Sequence, residues 1–295
     1  MGPTAIGKSR LAIDLALHYG TEIISADSRQ FYREMSIGTA KPSSNDLQKV
    51  RHHFVDFISV TEDFSAGEFA SSADEVLVNI FNNNEVCIMA GGSGLFIRAV
   101  CDGLDDLPEV PESIRKQLNR RYEESGIEGL SLELKELDPE HCEVIDLQNH
   151  RRIIRALEVC LSSGRPYSSF LSKSNKQRDY TVVKVGLEID RDELYKKIED
   201  RVDAMLDAGL EEEVRSLVRF KDYNALNTVG YREMFEYLNG KVTLEEAVDL
   251  IKRNTRRFAK RQLTWFKRDD EIQWFDPQQR VDIMGYITSK ITETS

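Results

Sequence analysis

The 295-residue chain has only four cysteines, Cys87, Cys101, Cys142 and Cys160, and no two of them form a C-x-x-C pair. Neither a disulfide framework nor a zinc site is suggested, and a reducing, cytoplasmic setting fits that usage. No window approaches eighteen uncharged apolar residues, so no membrane-spanning helix is expected. No basic segment followed by an apolar run opens the sequence, so no secretory signal is expected. Basic residues are in deficit: 40 Lys plus Arg against 51 Asp plus Glu give a net charge of −11. That balance argues against wholesale coating of nucleic acid or anionic lipid, and it leaves room for a local basic patch. Internal repeats and low-complexity tracts are lacking. What is present is a globular composition, 40% apolar and 31% charged. Its length suggests two domains or one large one.

The first half alternates strand and helix patterns. SRLAIDLALHY (9–19) has helical spacing, TEIISAD (21–27) is a β-branched run ending in polar residues, and 65–81 is helix-like. EVCIMAGGSG (85–94) is an apolar strand that breaks into glycines before LFIRAV resumes as helix. Such alternation predicts an α/β fold, a P-loop-type parallel sheet flanked by helices, with ligand loops at the strand C-termini. The middle differs. Helices are expected at 112–125, 128–137 and 149–162, so 108–175 is a mostly helical insertion domain within a core of 1–107 and 176–295. TVVKVGLEI (181–189) is a returning strand, followed by helices at about 191–207, 210–219, 230–238 and 243–267.

Gly2-Pro3-Thr4-Ala5-Ile6-Gly7-Lys8-Ser9 fits G-x-x-x-x-G-K-[ST]. The glycines let successive N–H groups converge on a phosphate, Lys8 adds a point charge, and the Ser9 hydroxyl can hold Mg²⁺. The helix that follows offers its positive end to the same anion. Such a loop ordinarily follows a buried strand, yet only Met1 precedes it here. A nucleotide-hydrolysing enzyme or kinase also needs an apolar strand ending in an Asp for the metal. VCIMAGGSG ends in glycines, and Asp27 leads into Ser28-Arg29-Gln30, a substrate-reading pattern. The loop is therefore expected to hold a diphosphate in some reaction other than nucleotide hydrolysis.

With these motifs in view, the chain resembles the tRNA dimethylallyltransferases (tRNA isopentenyltransferases) over nearly its whole length. The resemblance rests on GPTAIGKS (2–9), SADSRQFYREMSIGTAKPS (25–43), HHFVDF (52–57), FSAGEF (64–69), GGSGLF (91–96), HRRIIRALEV (150–159), DRDELYKKIEDRVDAMLDAGLEEEV (190–214), VGYREM (229–234) and TRRFAKRQLTWFKR (255–268). It implies transfer of a dimethylallyl group from its diphosphate to the exocyclic amine of adenosine 37, beside the anticodon of a tRNA. It implies that Gly2, Thr4, Ala5, Ile6, Gly7, Lys8 and Ser9 bind the diphosphate, with Mg²⁺ on Ser9 and Arg191 as a second cation. The adenine amine must lose a proton, and Asp27, at a strand end near the loop, is the natural general base. Ser93 stands where the family usually has Thr, and its hydroxyl is expected to contact Asp27 and the adenosine. Phe96 stands where Tyr is common.

The stretch 252–268 holds eight basic residues, Lys252, Arg253, Arg256, Arg257, Lys260, Arg261, Lys267 and Arg268, and no acid. One-signed charge on a helix suits RNA phosphates. Ile251, Phe258 and Trp265 recur every seven residues, which favours a core role for the two aromatics. The resemblance implies tRNA contacts from Ser28, Arg29, Gln30, Arg115, Arg151, Arg152, Arg155, Arg257, Lys260, Arg261 and Gln262, with Asp27 and Ser93 at the target adenosine. Glu211-Glu212-Glu213 is expected to be a solvated helix start. His52-His53 is expected to be structural, since adjacent histidines in a strand point apart and no third ligand is near. The expected partners are a tRNA anticodon stem-loop and dimethylallyl diphosphate, with the protein a monomer. Rival functions are a transferase acting on free adenine nucleotides, a P-loop kinase or NTPase, and a non-catalytic RNA-binding module.

Overall fold

The structure, a computed structural model, describes residues 1–171 and 178–294. It divides into two units: Met1–Cys101 joined to Arg178–Ser295, and Asp102–Gln177. The sequence places those edges at 107/108 and 175/176.

The larger unit begins with the 2–7 loop and α1 (Lys8–Tyr19), then β1 (Ile23–Ala26), α2 (Ser44–Lys49), β2 (His52–His53), α3 (Ala66–Phe81), β3 (Ile88–Gly91) and α4 (Gly94–Cys101). β1 is central in a parallel sheet of order β2-β1-β3. All four residues of β1 are buried, which is why IISA carries no alternating polar face: helices cover parallel strands on both sides. α1 buries Leu11, Ala12, Ile13, Leu15 and Ala16. α3 opens with a reciprocal cap between Ser65 and Glu68 and buries Phe69, Leu77 and Ile80. Phe96 on α4 packs its ring 5.5 Å from Phe31 and 5.3 Å from Phe69. In that apolar cluster a phenyl ring suffices where a tyrosine hydroxyl would need a partner.

The smaller unit holds α5 (Glu112–Ser125), α6 (Glu128–Leu137), α7 (Pro139–Val144) and α8 (His150–Ser163). Its core is Leu118, Leu130, Leu134, Ile153 and Leu157. Two carboxylates in this unit are buried, Asp138 and Glu158. Glu158 is 1% exposed and accepts from Arg115 Nε at 2.6 Å, Arg115 Nη2 at 2.9 Å and Arg155 Nη1 at 3.1 Å. Burial alone would raise the Glu158 carboxyl, but these bonds more than offset it and hold the group below its usual value.

The chain returns to the larger unit in β4 (Val185–Leu187), α9 (Arg191–Asp207), α10 (Leu210–Ser216), α11 (Tyr231–Leu238), α12 (Leu244–Phe266), β5 (Gln273–Phe275) and α13 (Arg280–Thr294). β4 and β5 pair in parallel. Met1 lies along β4: its amino group donates to the Val185 carbonyl at 2.6 Å, and its carbonyl accepts from Leu187 N–H at 2.9 Å. The loop after it therefore leaves the edge of a strand. α2 and α7 escaped the sequence reading because each is six residues long, held by the caps Ser43 and Asp138 rather than by an amphipathic repeat. β5 and α13 were also unforeseen. α13 is anchored through Ile283 and Ile287, four residues apart and both buried. No described helix is long and apolar enough to cross a membrane.

Arg115→Ala should destabilise the chain by about 1–3 kcal/mol, because it strips two bonds from a buried carboxylate. Exposed Arg151→Ala should cost under about 0.5 kcal/mol. Urea denaturation of the two variants checks the contrast, and equal losses would contradict the Glu158 account.

Candidate active site

The phosphate loop is built from backbone conformations that few side chains tolerate. Gly7 caps α1 at φ +102°, and Ala5 sits at φ +64°. Gly2, at φ +146°, runs so close to β4 that an added Cβ would lie 2.9 Å from the Leu187 carbonyl oxygen. These turns lead straight into α1, whose first N–H groups have no partner within the helix. Lys8 occupies its first position. The Lys8 Nζ donates to the Pro3 carbonyl at 2.6 Å. Burial depresses its pKa from 10.5 to about 8; the Asp27 carboxylate opposes that fall and the Arg201 charge adds to it.

Two braces hold the loop from the C-terminal helices. Gln262 on α12 accepts from Thr4 N–H at 2.8 Å and donates to the Gly92 carbonyl at 2.9 Å. Its amide thereby ties the phosphate loop to the glycine run after β3, and an added Cβ on Gly92 would strike Gln262 Nε2. Arg201 on α9 donates to Thr4 Oγ1 at 3.2 Å. Burial lowers its pKa, and Asp27 partly restores it. Lys8, Arg201 and Asp27 share the wall of one cavity of about 410 Å³, with Thr4, Ala5, Gly7, Ser9, Gln30 and Gln262. Gly2 and Ile6 are buried behind it.

Asp27 follows β1 directly. Its Oδ1 accepts from Arg29 N–H at 3.1 Å. Among the described residues no cation pairs with it within 4 Å, although its charge is felt by both Lys8 and Arg201. A carboxylate in that position keeps acceptor capacity for an incoming proton. β3 beside it ends at Gly91, where an added Cβ would collide with the Ala26 carbonyl. No side chain fits there, so β3 cannot end in the metal-binding Asp of a nucleotide hydrolase.

Several sequence expectations need correction. Arg191 does not line the cavity. It is exposed at the start of α9, with its guanidinium 5.1 Å from the Tyr195 ring centroid. Arg201 lies ten residues along the same helix, about 15 Å away at 1.5 Å per residue, and Arg201 is the cation at the loop. Ser93 Oγ accepts from Ser28 N–H at 3.0 Å and donates to Ser28 Oγ at 3.1 Å, so its bonds run to Ser28 rather than to Asp27. Gln30 and Gln262 were expected to meet RNA, but their amides are engaged by protein. Gln30 Nε2 donates to the carbonyls of Thr39 and Ala40, and its Oε1 accepts from Ser25. Arg29 donates to the carbonyls of Asn224 and Ala225. Phe258 is no core residue: it is 40% exposed and lines the cavity, with Arg261 5.8 Å from its centroid. Trp265 is half-buried against Gly94. Glu213 is no solvated helix-start acid, because its carboxylate holds a loop of the cavity wall.

The basic run on α12 splits in two. Lys252 pairs with Asp203, Arg256 with Glu199 and Lys267 with Glu188. Arg253, Arg257, Lys260, Arg261 and Arg268 are exposed, and among the described residues none pairs with a carboxylate. In the smaller unit Arg151 and Arg152 are exposed on α8, while Arg115 and Arg155 are tied to Glu158. His52 Nδ1 lies 2.8 Å from the Val50 carbonyl and His53 Nε2 lies 2.5 Å from Glu22. Among the described residues no group of three His, Cys, Asp or Glu could hold a metal.

A glycine-rich loop, two half-buried cations and a carboxylate around one cavity in an α/β fold define a phosphate-loop group-transfer enzyme. Residues 30–269 match the model of the IPP transferase family. The chain is 50% identical to the tRNA dimethylallyltransferase of Christiangramia forsetii, covering 99% of this chain and 97% of that one. Its fold is similar to the tRNA isopentenylpyrophosphate transferase of Bacillus halodurans, with a TM-score of 0.73 at 36% identity over 99% of this chain and 95% of that one. It is also similar to the corresponding transferase of Staphylococcus epidermidis, with a TM-score of 0.71 at 33% identity over 100% and 98%. The chain belongs to the IPP transferase family, the tRNA dimethylallyltransferases.

With its pKa lowered to about 8, Lys8 is charged well below that pH, half charged at it and neutral well above it. A bound diphosphate stabilises the charged form, so binding at higher pH must take up a proton. The dissociation constant for dimethylallyl diphosphate should therefore rise between about pH 7 and pH 9.5, with proton uptake visible by calorimetry in buffers of different ionisation enthalpy. Flat affinity, or proton release, would contradict the buried-amine account.

Proposed function

We propose that the protein transfers a dimethylallyl group from dimethylallyl diphosphate to the exocyclic amine of adenosine 37 in a tRNA anticodon stem-loop, giving isopentenyladenosine. The observation that carries this reading is the meeting of Lys8, Arg201 and Asp27 at one cavity. Cations there suit the leaving diphosphate, and a carboxylate suits the attacking amine.

The diphosphate is seated on the loop N–H groups of residues 5–9, with Lys8 and Arg201 beside it. As its C–O bond to the allylic carbon breaks, negative charge grows on the diphosphate oxygen. Fixed cations stabilise that charge without reorganising. The adenine nitrogen forms the new N–C bond, and its proton passes to Asp27. Diphosphate then leaves with the electron pair of the broken bond. The Ser9 hydroxyl is exposed on the cavity wall at the first turn of α1. One hydroxyl without a carboxylate cage fits Mg²⁺, which takes most of its ligands from phosphate oxygens and water. When bound, the ion adds to the neutralisation of the leaving group.

The acceptor is read as RNA because α12 presents Arg253, Arg257, Lys260 and Arg261 to solvent, with Arg268 just past its end, and none pairs with an acid among the described residues. A free adenine nucleotide needs no extended cationic face. An adenine inside a folded loop must be splayed out to reach Asp27. The apolar face of Phe258, exposed at the same cavity, is a surface on which a base can stack. This reading sets the protein at work where tRNA is, in the cytoplasm.

Asp27→Ala should lower kcat by roughly 10²–10⁴-fold, the range for a lost general base, with RNA affinity nearly unchanged. Transfer of labelled dimethylallyl groups to an anticodon stem-loop, with AMP as the competing acceptor, measures this directly. A loss under about threefold would remove Asp27 from the chemistry, and faster turnover of AMP would move the acceptor to free nucleotides.

A further inference from the structure

Glu213, on the short helix α10, makes the densest set of hydrogen bonds of any carboxylate beside the cavity. Its Oε2 accepts from Ser36 N–H at 2.9 Å and Ile37 N–H at 2.7 Å. Its Oε1 accepts from Gly38 N–H at 3.0 Å and from the Tyr231 hydroxyl at 2.6 Å. Three consecutive amides and a phenol thus converge on one anion, a charge-assisted arrangement that defines the backbone path of 36–38 closely. Tyr231 is fully buried, and its ring lies so close to the loop that an added Cβ on Gly38 would stand 2.6 Å from it. Burial and the neighbouring carboxylate push the Tyr231 phenol far above its usual range, so it remains a donor.

The loop so held is part of the active-site wall. Ala40 and Pro42 line the cavity. Ala40 sits at φ +45°, a conformation an L-residue keeps only where its surroundings hold it. The carbonyls of Thr39 and Ala40 receive the Gln30 side chain, and Gln30 N–H donates to the Asp27 carbonyl at 3.0 Å. A continuous set of bonds therefore runs from Glu213 through residues 36–40 and Gln30 to Asp27. The phosphate loop is braced separately, by Gln262 and Arg201.

We propose that Glu213 is a positioning residue for the acceptor side of the site: by gathering the 36–38 amides and the Tyr231 hydroxyl it sets the wall against which the target base meets Asp27. The proposal rests on the transferase reading and adds a division of labour to it. Diphosphate binding depends on the α9 and α12 braces, while alignment of the base depends on α10 and α11.

The test uses the full-length chain, dimethylallyl diphosphate and an anticodon stem-loop RNA. In E213Q one oxygen becomes an NH₂ group facing N–H and O–H donors. Its kcat/KM for RNA should fall by about tenfold or more, while KM for the diphosphate stays within about twofold. Hydrogen exchange of the 36–38 amides should speed up. Y231F removes one donor of four and should show the same pattern more weakly. A merely structural role would instead lower the melting temperature and raise both KM values together, and that outcome overturns the proposal. So do wild-type kinetics in E213Q, or faster exchange without a kinetic change. If E213Q does not fold, Y231F decides by the same criteria. If the wild-type chain transfers nothing to RNA, the transferase reading itself fails. If it transfers normally and both variants do too, only the role given to Glu213 fails.

Discussion

Lys8 and Arg201 are two positive charges held beside the Asp27 carboxylate where the phosphate loop meets α9. Burial opposes both charges, and Asp27 is the counter-charge that partly restores them. Holding like charges close together in a partly desolvated site is costly, and an anionic ligand offsets that cost when it binds. The same arrangement gives the reaction its direction. On the proposed reading the cations meet the negative charge that appears on the leaving group, and the carboxylate takes the proton. Most other features of the larger unit serve to keep these three groups in register.

That register comes from chain segments far apart in sequence. Thr4 is held by residues nearly two hundred positions or more away, through Arg201 and Gln262. Close approaches at Gly2, Gly91 and Gly92 leave no space for a β-carbon, so the loop, β3 and α12 pack backbone against backbone or amide. α12 divides its labour by face. Ala247, Ile251, Ala259, Gln262 and Phe266 are buried, while Arg257, Lys260 and Arg261 point outward on the same turns. One helix therefore both braces the phosphate loop and carries a cationic stripe on a chain of net charge −11, and the proposed function gives that stripe to RNA.

Local pattern made the phosphate loop, Asp27 at the end of β1 and the helical insertion legible in the sequence, because each depends on residues within a few positions. Contacts decided elsewhere were not legible. Arg191 and Arg201 share a helix, and only the packing of that helix against Thr4 distinguishes the cation at the loop from the one at the surface. One signal was available: Arg201 lies between Ile198 and Val202 on the buried side of α9, an unusual place for an arginine without an anion to meet. Glu213 looked solvated beside Glu211 and Glu212, yet its amide partners come from a loop about 175 residues earlier. The spacing of Ile251, Phe258 and Trp265 suggested a core stripe, but at Phe258 the neighbouring elements part to form the cavity. Gln262 sits in a basic run whose neighbours point to solvent, yet its own amide faces inward to Thr4 and Gly92.

The most direct test of the central claim is a comparison of Arg201→Ala and Arg191→Ala in equilibrium binding of dimethylallyl diphosphate. If Arg201 supplies the second cation of the cradle, its removal should weaken binding by about tenfold or more, in line with the loss of a charged hydrogen-bond partner. Arg191→Ala should bind as the wild type does. Full affinity in Arg201→Ala, or a comparable loss in Arg191→Ala, would contradict the account.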